Sequence, residues 1–587
     1  MKRKFLASVL AASMLMTVLT GCGDTEVKSS EVASEVQNTS ETTASSEVIP
    51  GFEHDPILNE LGVEPISKET VTLTIGIRQN TLVENYDTNK FTLWLEEMAN
   101  VDLQFVEFPN NEFADKIRLL AAAGGSGLPD IIVHGLDDAT VFELGSNGII
   151  IPLEDYYENS SVYYKEGFER VLNEQGVDLY KFITSADGHI YNVPKYNETL
   201  TNPTYARIWV YQPWLDAVGM KAEDIVTTDD FYNMLNAFKT QDPNGNGKAD
   251  EIPAFSGDLK NTGSAGCGFT DAMISAFIPC TAIKSHLIAT DGQLSVAYNQ
   301  DAFKEGIKYL NTLCTNGLYD SVSFTTSSDN FKTIMNNEGD QLVGCFVSLS
   351  PSFIQKTHGS YGKWTLLEPL TGPEGVCATP YKPDVPTNGA FITLNCEHPE
   401  LAFRVLDLMG KEDVAISSRW GIEGENWSYI EDLTGPEYAN YDFSKTFSGY
   451  PVYFCQTNNI WNVVQNNHWQ NVNPSFRTAE VIGSYYAGLV SNPVEGDYNL
   501  ELAAKLPAYD AAKPAEPITT IKYSAEVQAE ANELANALAE YVKEKKAQWI
   551  TGAADVDAEW ENYLKELDKI GLPRYLELTQ EAYDNMK

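Results

Sequence analysis

The chain has 587 residues, of which 43% are hydrophobic and 11% aromatic, so it is long enough for two or three domains with large cores. Its formal net charge is −43, and no cluster of Lys and Arg follows the first few residues. These values exclude nucleic acid as a partner, because phosphate binding requires a basic face.

The amino terminus has the features of an export signal. Basic residues at positions 2–4 precede an apolar run over 5–19, which is too short to span a bilayer as a permanent helix. The next residues, 19–22, resemble the bacterial lipobox, whose cysteine is acylated before cleavage. This resemblance implies a signal peptide over 1–21 and lipidation of Cys22, which places the protein on the extracellular face of the cell membrane. The alternative is an ordinary secretory signal with an incidental cysteine.

A polar segment follows the cysteine. Residues 23–50 are rich in Ser, Thr, Glu and Val and contain no aromatic residue, so they cannot bury enough apolar surface to offset their conformational entropy. We therefore predict a flexible linker, which with the lipidated cysteine covers residues 22–65.

Strands and helices alternate from residue 71 onwards. Apolar residues at every second position predict strands over 71–77 and 101–108, and the apolar run 130–133 predicts a third, fully buried strand. Helices with one apolar face lie between them, over 91–98 and 113–120. This order predicts an α/β fold with a parallel sheet that is covered on both faces.

Polar side chains follow the first and third of these strands. In open parallel sheets, ligands bind beyond the carboxyl ends of the strands. Arg78 and Asn80 after the first strand, and His134 and Asp137 after the third, are therefore candidate ligand-binding residues. A surface ion pair for Arg78 and a structural role for His134 are the alternatives.

A loop over 242–251 places oxygen donors at alternate positions around two glycines. Positions 1, 3, 5 and 7 of an EF-hand-like loop would be Asp242, Asn244, Asn246 and the carbonyl of Lys248. Position 12, where a true EF-hand has Glu, is Pro253, so Asp250 or Glu251 must supply the closing carboxylate. The spacing predicts a structural calcium ion, and the alternative is an Asn/Gly-rich turn without metal.

Short segments in a fixed order carry a family resemblance. They are 128–132 with 148–153, 188–194, 214–220, 388–391 with 398–402, 421–424, and 549–552. Together they cover nearly the whole chain after the linker. They resemble the extracellular solute-binding lipoproteins of ABC importers, family 1, carbohydrate type, which include maltose-binding and alginate-oligosaccharide-binding proteins.

The resemblance implies a periplasmic-binding-protein-like fold, in which two α/β lobes joined by a multi-strand hinge close on a ligand between them. The hinge crossings are expected near residues 195–205, 383–392 and 505–522. The expected division is 66–198 and 387–512 for the first lobe, 199–386 with the calcium loop for the second lobe, and 513–587 for the carboxyl-terminal helices of the second lobe. In the alginate-binding relatives, a matching loop holds calcium through the six positions named above.

Sugar recognition requires flat aromatic faces and planar polar groups in a partly enclosed cleft. Trp427 lies in a Gly-bearing loop and Trp461 lies among asparagines, so both are expected to face a ligand and not a core. Tyr205 and Arg207 alternate along a strand near the first crossing, and one face of this strand is expected to line the cleft. The resemblance adds Ser348, just past a strand of the second lobe, and supports His134 and Asp137.

The function implied is that of a monomeric substrate-binding lipoprotein, without catalysis, which captures an oligosaccharide or other carbohydrate and delivers it to the membrane subunits of an ABC permease. A peptide-binding lipoprotein and, with less support, an exported polysaccharide-degrading enzyme are the alternatives. The chain has no GxSxG, HExxH or Walker motif.

The seven cysteines after Cys22 lack CxxC spacing, so a zinc site is not expected. The spacing does not determine which of these cysteines pair.

Overall fold

The computed structural model describes residues 52–199, 202–257, 268–279, 286–355, 357–439, 443, 450–458, 460, 463–486 and 498–586. The predicted signal peptide, Cys22 and Trp461 lie outside these residues, as does the linker up to residue 51. In the described part of the chain, no helix combines the length and the apolar character needed to cross a bilayer.

The strands of the described residues are β1 (Val71–Arg78), β2 (Val101–Phe108), β3 (Ile131–Val133), β4 (Val193–Asn197), β5 (Arg207–Tyr211), β6 (Ile252–Ala254), β7 (Leu287–Thr290), β8 (Gln293–Val296), β9 (Val343–Ser348), β10 (Trp364–Leu366), β11 (Thr387–Ile392), β12 (Trp427–Tyr429), β13 (Phe454–Gln456), β14 (Ser475–Arg477) and β15 (Tyr485–Tyr486).

The α-helices are α1 (Lys90–Ala99), α2 (Phe113–Ala122), α3 (Asp138–Ser146), α4 (Glu154–Ser160), α5 (Tyr163–Gln175), α6 (Tyr180–Ile183), α7 (Gln212–Ala217), α8 (Thr228–Thr240), α9 (Phe269–Ile274), α10 (Asp301–Thr315), α11 (Ser328–Met335), α12 (Pro399–Asp407), α13 (Glu412–Trp420), α14 (Ala479–Gly483), α15 (Tyr498–Ala511), α16 (Gln528–Ile550), α17 (Val556–Ile570) and α18 (Leu572–Met586).

The first sheet has six strands in the order β14-β4-β11-β3-β1-β2. The parallel pairing of β1 with β2 and β3 confirms the sheet predicted from the alternating apolar residues, because Leu73, Ile75 and Ile77 of β1 are buried. β11 is antiparallel to β3 and β4, whereas β14 is parallel to β4. The strands β1, β3, β4 and β14 therefore all end at the same side, which we call the carboxyl edge of the first sheet.

A second sheet has the order β10-β5-β9-β6. Its core is separate from that of the first sheet and includes side chains of the carboxyl-terminal helices, such as Trp549, Trp560 and Tyr575. Fully burying such a side chain stabilises the fold by roughly 1.5–3 kcal/mol. The two sheets, each with its own core and helices, form the two α/β lobes that the family resemblance implies.

The position of α15 differs from the division expected from the sequence, which ended the second part of the first lobe at residue 512. Leu502 and Tyr509 of α15 are buried in the core of the second sheet, and the Tyr509 hydroxyl donates to the carbonyl of Leu367 at 3.0 Å. An amphipathic helix shows in its sequence that it packs on a core, but not on which core.

The ordered part of the chain begins earlier than predicted. Leu58 and Ile66 pack in the core of the first sheet, so ordered structure begins inside the predicted linker.

Segments that connect the two lobes are hydrogen-bonded to one another. The backbone N–H and the hydroxyl of Thr199, which follows β4, both donate to Oδ2 of Asp384 at 2.7 Å. The N–H of Thr379 donates to the carbonyl of Ala512 at 2.9 Å. Burial raises the pKa of the Asp384 carboxyl to about 6.

Candidate functional site

Basic side chains stand at the carboxyl edge of the first sheet. β1 ends at Arg78, His134 directly follows β3, Lys195 lies in β4, and β14 ends at Arg477. We call these four residues the basic row. Because adjacent strands lie about 4.8 Å apart, side chains from neighbouring strands of one sheet can contact the same ligand.

Arg78 lies against the first turn of α2 and the loop after β3. Its Nη2 donates to the carbonyl of Gly135 at 3.1 Å, and its guanidinium carbon lies 5.4 Å from the ring centroid of Phe113. Gly135 has φ +90°, and a Cβ at this position would lie 2.4 Å from Arg78 Nε, so glycine is required for this approach. Arg78 Nε is buried and finds no hydrogen-bond partner among the described residues.

His134 is held in the left-handed region, with φ +58°. Its N–H donates to the carbonyl of Gly389 at 2.7 Å, and its Nδ1 lies 3.3 Å from the carbonyl of Asn388. Burial, with Lys195 and Arg78 nearby, lowers the pKa of His134. A neutral imidazole that donates from Nδ1 to this carbonyl keeps Nε2 as an acceptor for a ligand hydroxyl.

Lys195 is half-buried, and its Nζ donates to the carbonyl of Asn471. Gln470 and Asn471 both have left-handed backbone, with φ of 52° and 57°. Gln470 Nε2 and Asn471 Oδ1 are buried and lack hydrogen-bond partners in the described part of the chain. Strained backbone and unsatisfied polar atoms cluster at functional sites. None of these three residues was predicted from the sequence, although Gln470 and Asn471 lie in an amide-rich polar stretch like the one around Trp461.

Arg477 positions its neighbours and does not reach solvent, because it is fully buried. Its Nε donates to the carbonyl of Ala415 at 2.8 Å, its Nη1 to Asn197 Oδ1 at 2.7 Å, and its Nη2 to Ser418 Oγ at 2.6 Å. These bonds fix the end of β14 to β4 and to α13. Arg477 therefore contributes charge to the site from a buried position.

The other two candidates of the first lobe have local roles. Oδ1 of Asp137 accepts from the N–H of Thr140 at 2.8 Å and so caps α3, while the side chain stays largely exposed. Oδ1 of Asn80 accepts from the N–H of Leu82 at 3.0 Å in a turn after β1. Both residues lie near Arg78 and His134 along the chain, and their ligand contacts stay a prediction.

Tyr205, Arg207 and Ser348 come together in the second lobe, as expected, but they are buried. Arg207 pairs with Ser348 between β5 and β9, and their relative exposures are 0% and 2%. Arg207 Nη1 donates to the carbonyl of Leu349 at 2.6 Å, and burial lowers the pKa of Arg207 to about 10. All five residues of β5 are buried, and the expectation that one face of this strand lines the cleft stays a prediction.

Trp427 is also a core residue, which corrects the expectation that it faces a ligand. Its side chain is fully buried in a small core with Trp420 and Phe454, and its indole N–H donates to the carbonyl of Gly421 at 2.8 Å. Trp427 opens β12, whose pairing with β13 places it against α13. A loop aromatic without a helical face can thus be buried by a small sheet. Trp461 lies outside the described residues.

The loop over 242–251 brings its side-chain oxygens and amides together. Nδ2 of Asn246 donates to both carboxylate oxygens of Asp250 at 3.2 and 3.3 Å, and Nδ2 of Asn244 donates to Oδ1 at 3.2 Å. The carboxylate of Asp242 accepts from the N–H groups of Asn246 and Gly247 at 3.1 and 2.9 Å. Gly247 has φ +76°, which fits the sharp turn expected at that position.

The oxygen-bearing side chains of this loop are of the kind that binds calcium. Among the described residues, no group of three or more His, Cys, Asp or Glu side chains is already arranged to hold a metal ion. Glu251 Oε1 is buried and lacks a partner there, and burial, together with Asp242 and Asp250, raises the pKa of Glu251. Asp340, outside the loop, approaches Asn246 Nδ2 at 3.5 Å. A half-turn of the Asn244 and Asn246 amides would replace their nitrogens with oxygens, which calcium prefers.

No protein-family model matches the chain. Over 512 residues it is 25% identical to the fructooligosaccharide ABC transporter substrate-binding protein FusA of Streptococcus pneumoniae, and the alignment covers 84% of this chain and 86% of FusA. The solved structure of FusA in complex with kestose aligns at a TM-score of 0.64 and 23% identity, over 88% of this chain and 99% of that chain. An EF-hand mutant of FusA has also been solved.

Two further solved structures share the fold. An HMO-binding ABC-transporter-associated solute-binding protein from Bifidobacterium longum infantis aligns at a TM-score of 0.68 and 18% identity, over 88% of this chain and 99% of that chain. The alginate-binding protein AlgQ2, solved without calcium ion, aligns at 0.60 and 17% over the same shares. The periplasmic-binding-protein-like fold predicted from the sequence is confirmed. By their descriptions, FusA and the HMO-binding protein are solute-binding proteins of ABC transporters, and AlgQ2 is an alginate-binding protein.

Proposed function

We infer that this chain, which has the two-lobed fold of the solute-binding proteins, captures an oligosaccharide outside the membrane and delivers it to the permease subunits of an ABC importer. The ligand would bind between the lobes, against the carboxyl edge of the first sheet. The hydrogen-bonded segments between the lobes would act as the hinge, and closure would present the loaded protein to the permease.

The unsatisfied polar atoms at the carboxyl edge are the observation that carries this proposal. Arg78 Nε, Gln470 Nε2 and Asn471 Oδ1 are buried, yet none has a partner among the described residues. Buried polar atoms are almost always hydrogen-bonded in folded proteins, because an unpaired one costs roughly 1–3 kcal/mol. A polyhydroxylated ligand offers both donors and acceptors to such groups, whereas an extended peptide would instead pair with a free strand edge.

We propose different lobe boundaries from those expected at first. The first lobe would comprise residues 52–198 and 387–486, and the second lobe would comprise 207–366 and 498–586. The buried positions of Leu58 in the first core and of Leu502 in the second support this division. The calcium loop at 242–251 would belong to the second lobe, outside the ligand site.

We further propose that Ca²⁺ is a structural ion of this loop. Its ligands would be the side chains of Asp242, Asn244, Asn246, Asp250 and Glu251 with the carbonyl of Lys248. The ion would neutralise carboxylates that lie close together, since Asp242 and Asp250 lie near Glu251.

Lipidation of Cys22 would hold the protein at the outer face of the cell membrane, with the polar segment as a tether. Changing Cys22→Ala should release the protein into the medium. Retention of this variant in the membrane fraction would contradict the anchor.

Calorimetry with a panel of oligosaccharides and peptides tests the central proposal. We expect heat of binding with at least one oligosaccharide, and a roughly fivefold to tenfold loss of affinity in Gln470→Ala, as for one lost hydrogen bond. Gln104→Ala on the exposed face of β2 is the matched control and should bind as the unchanged protein does. Binding of peptides but of no glycan would overturn the proposal, and cleavage of a glycan would favour the enzyme alternative.

A further inference from the structure

The basic row has no acidic counterpart among its described neighbours. The charged groups that act on Lys195 are the guanidinium groups of Arg477 and Arg419. Those that act on His134 are Lys195 and Arg78. In a chain with 83 acidic and 40 basic residues, such a group of cations is unexpected by composition alone.

Acidic side chains at the same edge are engaged elsewhere. Glu198 Oε1 accepts from Gln175 Nε2 at 2.6 Å, and its Oε2 accepts from the N–H of Ala479 at 2.6 Å. Asp138 Oδ1 accepts from Asn388 Nδ2 at 2.7 Å. These partners leave the carboxylates near the edge without a contact to Lys195.

Other lysines of the chain illustrate the contrast. Lys546 lies 2.9 Å from Asp271, Lys505 lies 2.9 Å from Glu368, and Lys411 lies 2.7 Å from Glu64. Lys195 Nζ donates instead to the backbone carbonyl of Asn471, which carries no net charge to offset an ammonium group.

We propose that the oligosaccharide bound at the carboxyl edge is acidic, with a sugar carboxylate that binds against Lys195 and within reach of Arg78. This inference rests on the proposed function and adds the chemical class of the ligand. A carboxylate accepts charge-assisted hydrogen bonds from ammonium and guanidinium groups, and Arg78 Nε is a donor without a partner among the described residues. His134 Nε2 and Asn471 Oδ1 would then serve ring hydroxyls.

The electrostatics of Lys195 give the inference a second consequence. Burial, with Arg477 and Arg419 nearby, holds the pKa of Lys195 well below its usual range. A carboxylate placed beside Lys195 favours the charged form and raises this pKa, so binding should take up protons from the buffer at pH values near or above the pKa of Lys195 in the free protein. A neutral sugar at the same place would not have this effect.

The test compares each acidic oligosaccharide with a neutral counterpart of the same length. The panel is trigalacturonate with its methyl ester, trimannuronate with its methyl ester, kestose as a neutral glycan, and inorganic phosphate as a plain anion. We expect an acidic trimer to bind at least about tenfold more tightly than its ester, as for a lost charge-assisted hydrogen bond. Across a pH series, its heat of binding should depend on the ionisation enthalpy of the buffer at pH values near or above the pKa of Lys195 in the free protein.

Variants of Lys195 complete the test. Lys195→Met should abolish the preference for the acid over the ester and the proton uptake, whereas Lys195→Arg should keep the preference. Lys505→Met is the matched control, because Lys505 of α15 is paired with Glu368. Unfolding of Lys195→Met should occur at no lower temperature than that of the unchanged protein, since the substitution removes a charge from a cationic cluster.

The outcomes separate the inference from the proposed function. If kestose or an ester binds as tightly as any acid, or if Lys195→Met keeps the acid preference, the ligand is not selected by its charge and the inference is overturned while the proposed function stands. If phosphate alone binds, the row is an anion site without sugar selectivity, which also overturns it. If no glycan binds, the proposed function fails as well.

Discussion

Changing Lys546→Met should be among the most destabilising single substitutions on the surface of α16 that faces the second core. Lys546 Nζ lies 2.9 Å from Asp271 Oδ1, and the exposed fractions of the two side chains are 8% and 4%. His286 Nε2 lies 3.3 Å from the same oxygen. The substitution would leave a buried carboxylate whose strongest partner is lost.

The magnitude follows from the burial of both groups. Removing one partner of a buried ion pair costs about 3–5 kcal/mol, whereas an exposed pair contributes about 0–1 kcal/mol. Burial alone would raise the pKa of Asp271, but Lys546 and His286 outweigh it and hold this pKa below its usual range. A lowered pKa in the folded state stabilises the protein above the pKa of the unfolded chain, and this stabilisation is lost as the pH falls.

Urea unfolding at pH 7, followed by tryptophan fluorescence, measures the effect. Lys545→Met is the matched control, because the neighbouring Lys545 lies 3.0 Å from the partly exposed Glu559. The double variant Asp271→Leu with Lys546→Met should recover part of the loss, since an apolar pair carries no unpaired charge. If Lys546→Met costs no more than Lys545→Met, the buried pair does not hold α16 on the second core, and the reasoning fails.

Three further predictions concern other parts of the molecule. A calcium chelator should lower the melting temperature more than it lowers the ligand affinity. In the double variant Asp242→Asn with Asp250→Asn, the chelator should no longer change the melting temperature. If the chelator does not change the melting temperature of the unsubstituted protein, the calcium proposal is contradicted. Because the folded-state pKa of Asp384 is about 6, the free energy of unfolding should fall as the pH rises from about 4 to 6, and Asp384→Asn should flatten this part of the profile; an identical profile would refute the assignment. Trp427→Ala should cost about 3–5 kcal/mol of stability in urea with affinity unchanged, whereas a large loss of affinity at normal stability would show ligand contact.

The parts of the fold that the sequence predicted correctly depend on local periodicity. The buried residues of β1 alternate, and the intervening helices are short, so the parallel pairing of β1, β2 and β3 followed from the pattern. The insertion of β11 between β3 and β4 joins segments about 250 residues apart, and pairing over that distance leaves no local signal. Gly389 shows the cost of this pairing, because a Cβ there would lie 2.4 Å from the carbonyl of Val193.

The candidate site was only half predictable for a related reason. Arg78 and His134 follow strands whose ends were visible in the sequence, and the position of a strand end was sufficient to select them. Gln470 and Asn471 are polar residues in polar surroundings, and their importance comes from burial and from left-handed backbone, which composition does not show. Lys195 is a half-buried residue of β4, and its place in the site depends on how β4 pairs with β11 and β14. The prediction for Trp427 was wrong in the opposite direction, because a residue expected to face a ligand is buried. Its burial depends on pairing between β12 and β13, which the sequence does not show.

The strand order of the first sheet has a consequence for how the chain folds. β4 lies between β11 and β14, so the first sheet is incomplete until residues 475–477 have been synthesised. The core of the second sheet is incomplete until the carboxyl-terminal helices, which end near residue 586, have been synthesised. Shorter chains would expose unpaired strand edges and unfilled apolar surface, which promote aggregation. The two lobes are thus expected to mature together, late in synthesis, and not one after the other as the chain emerges.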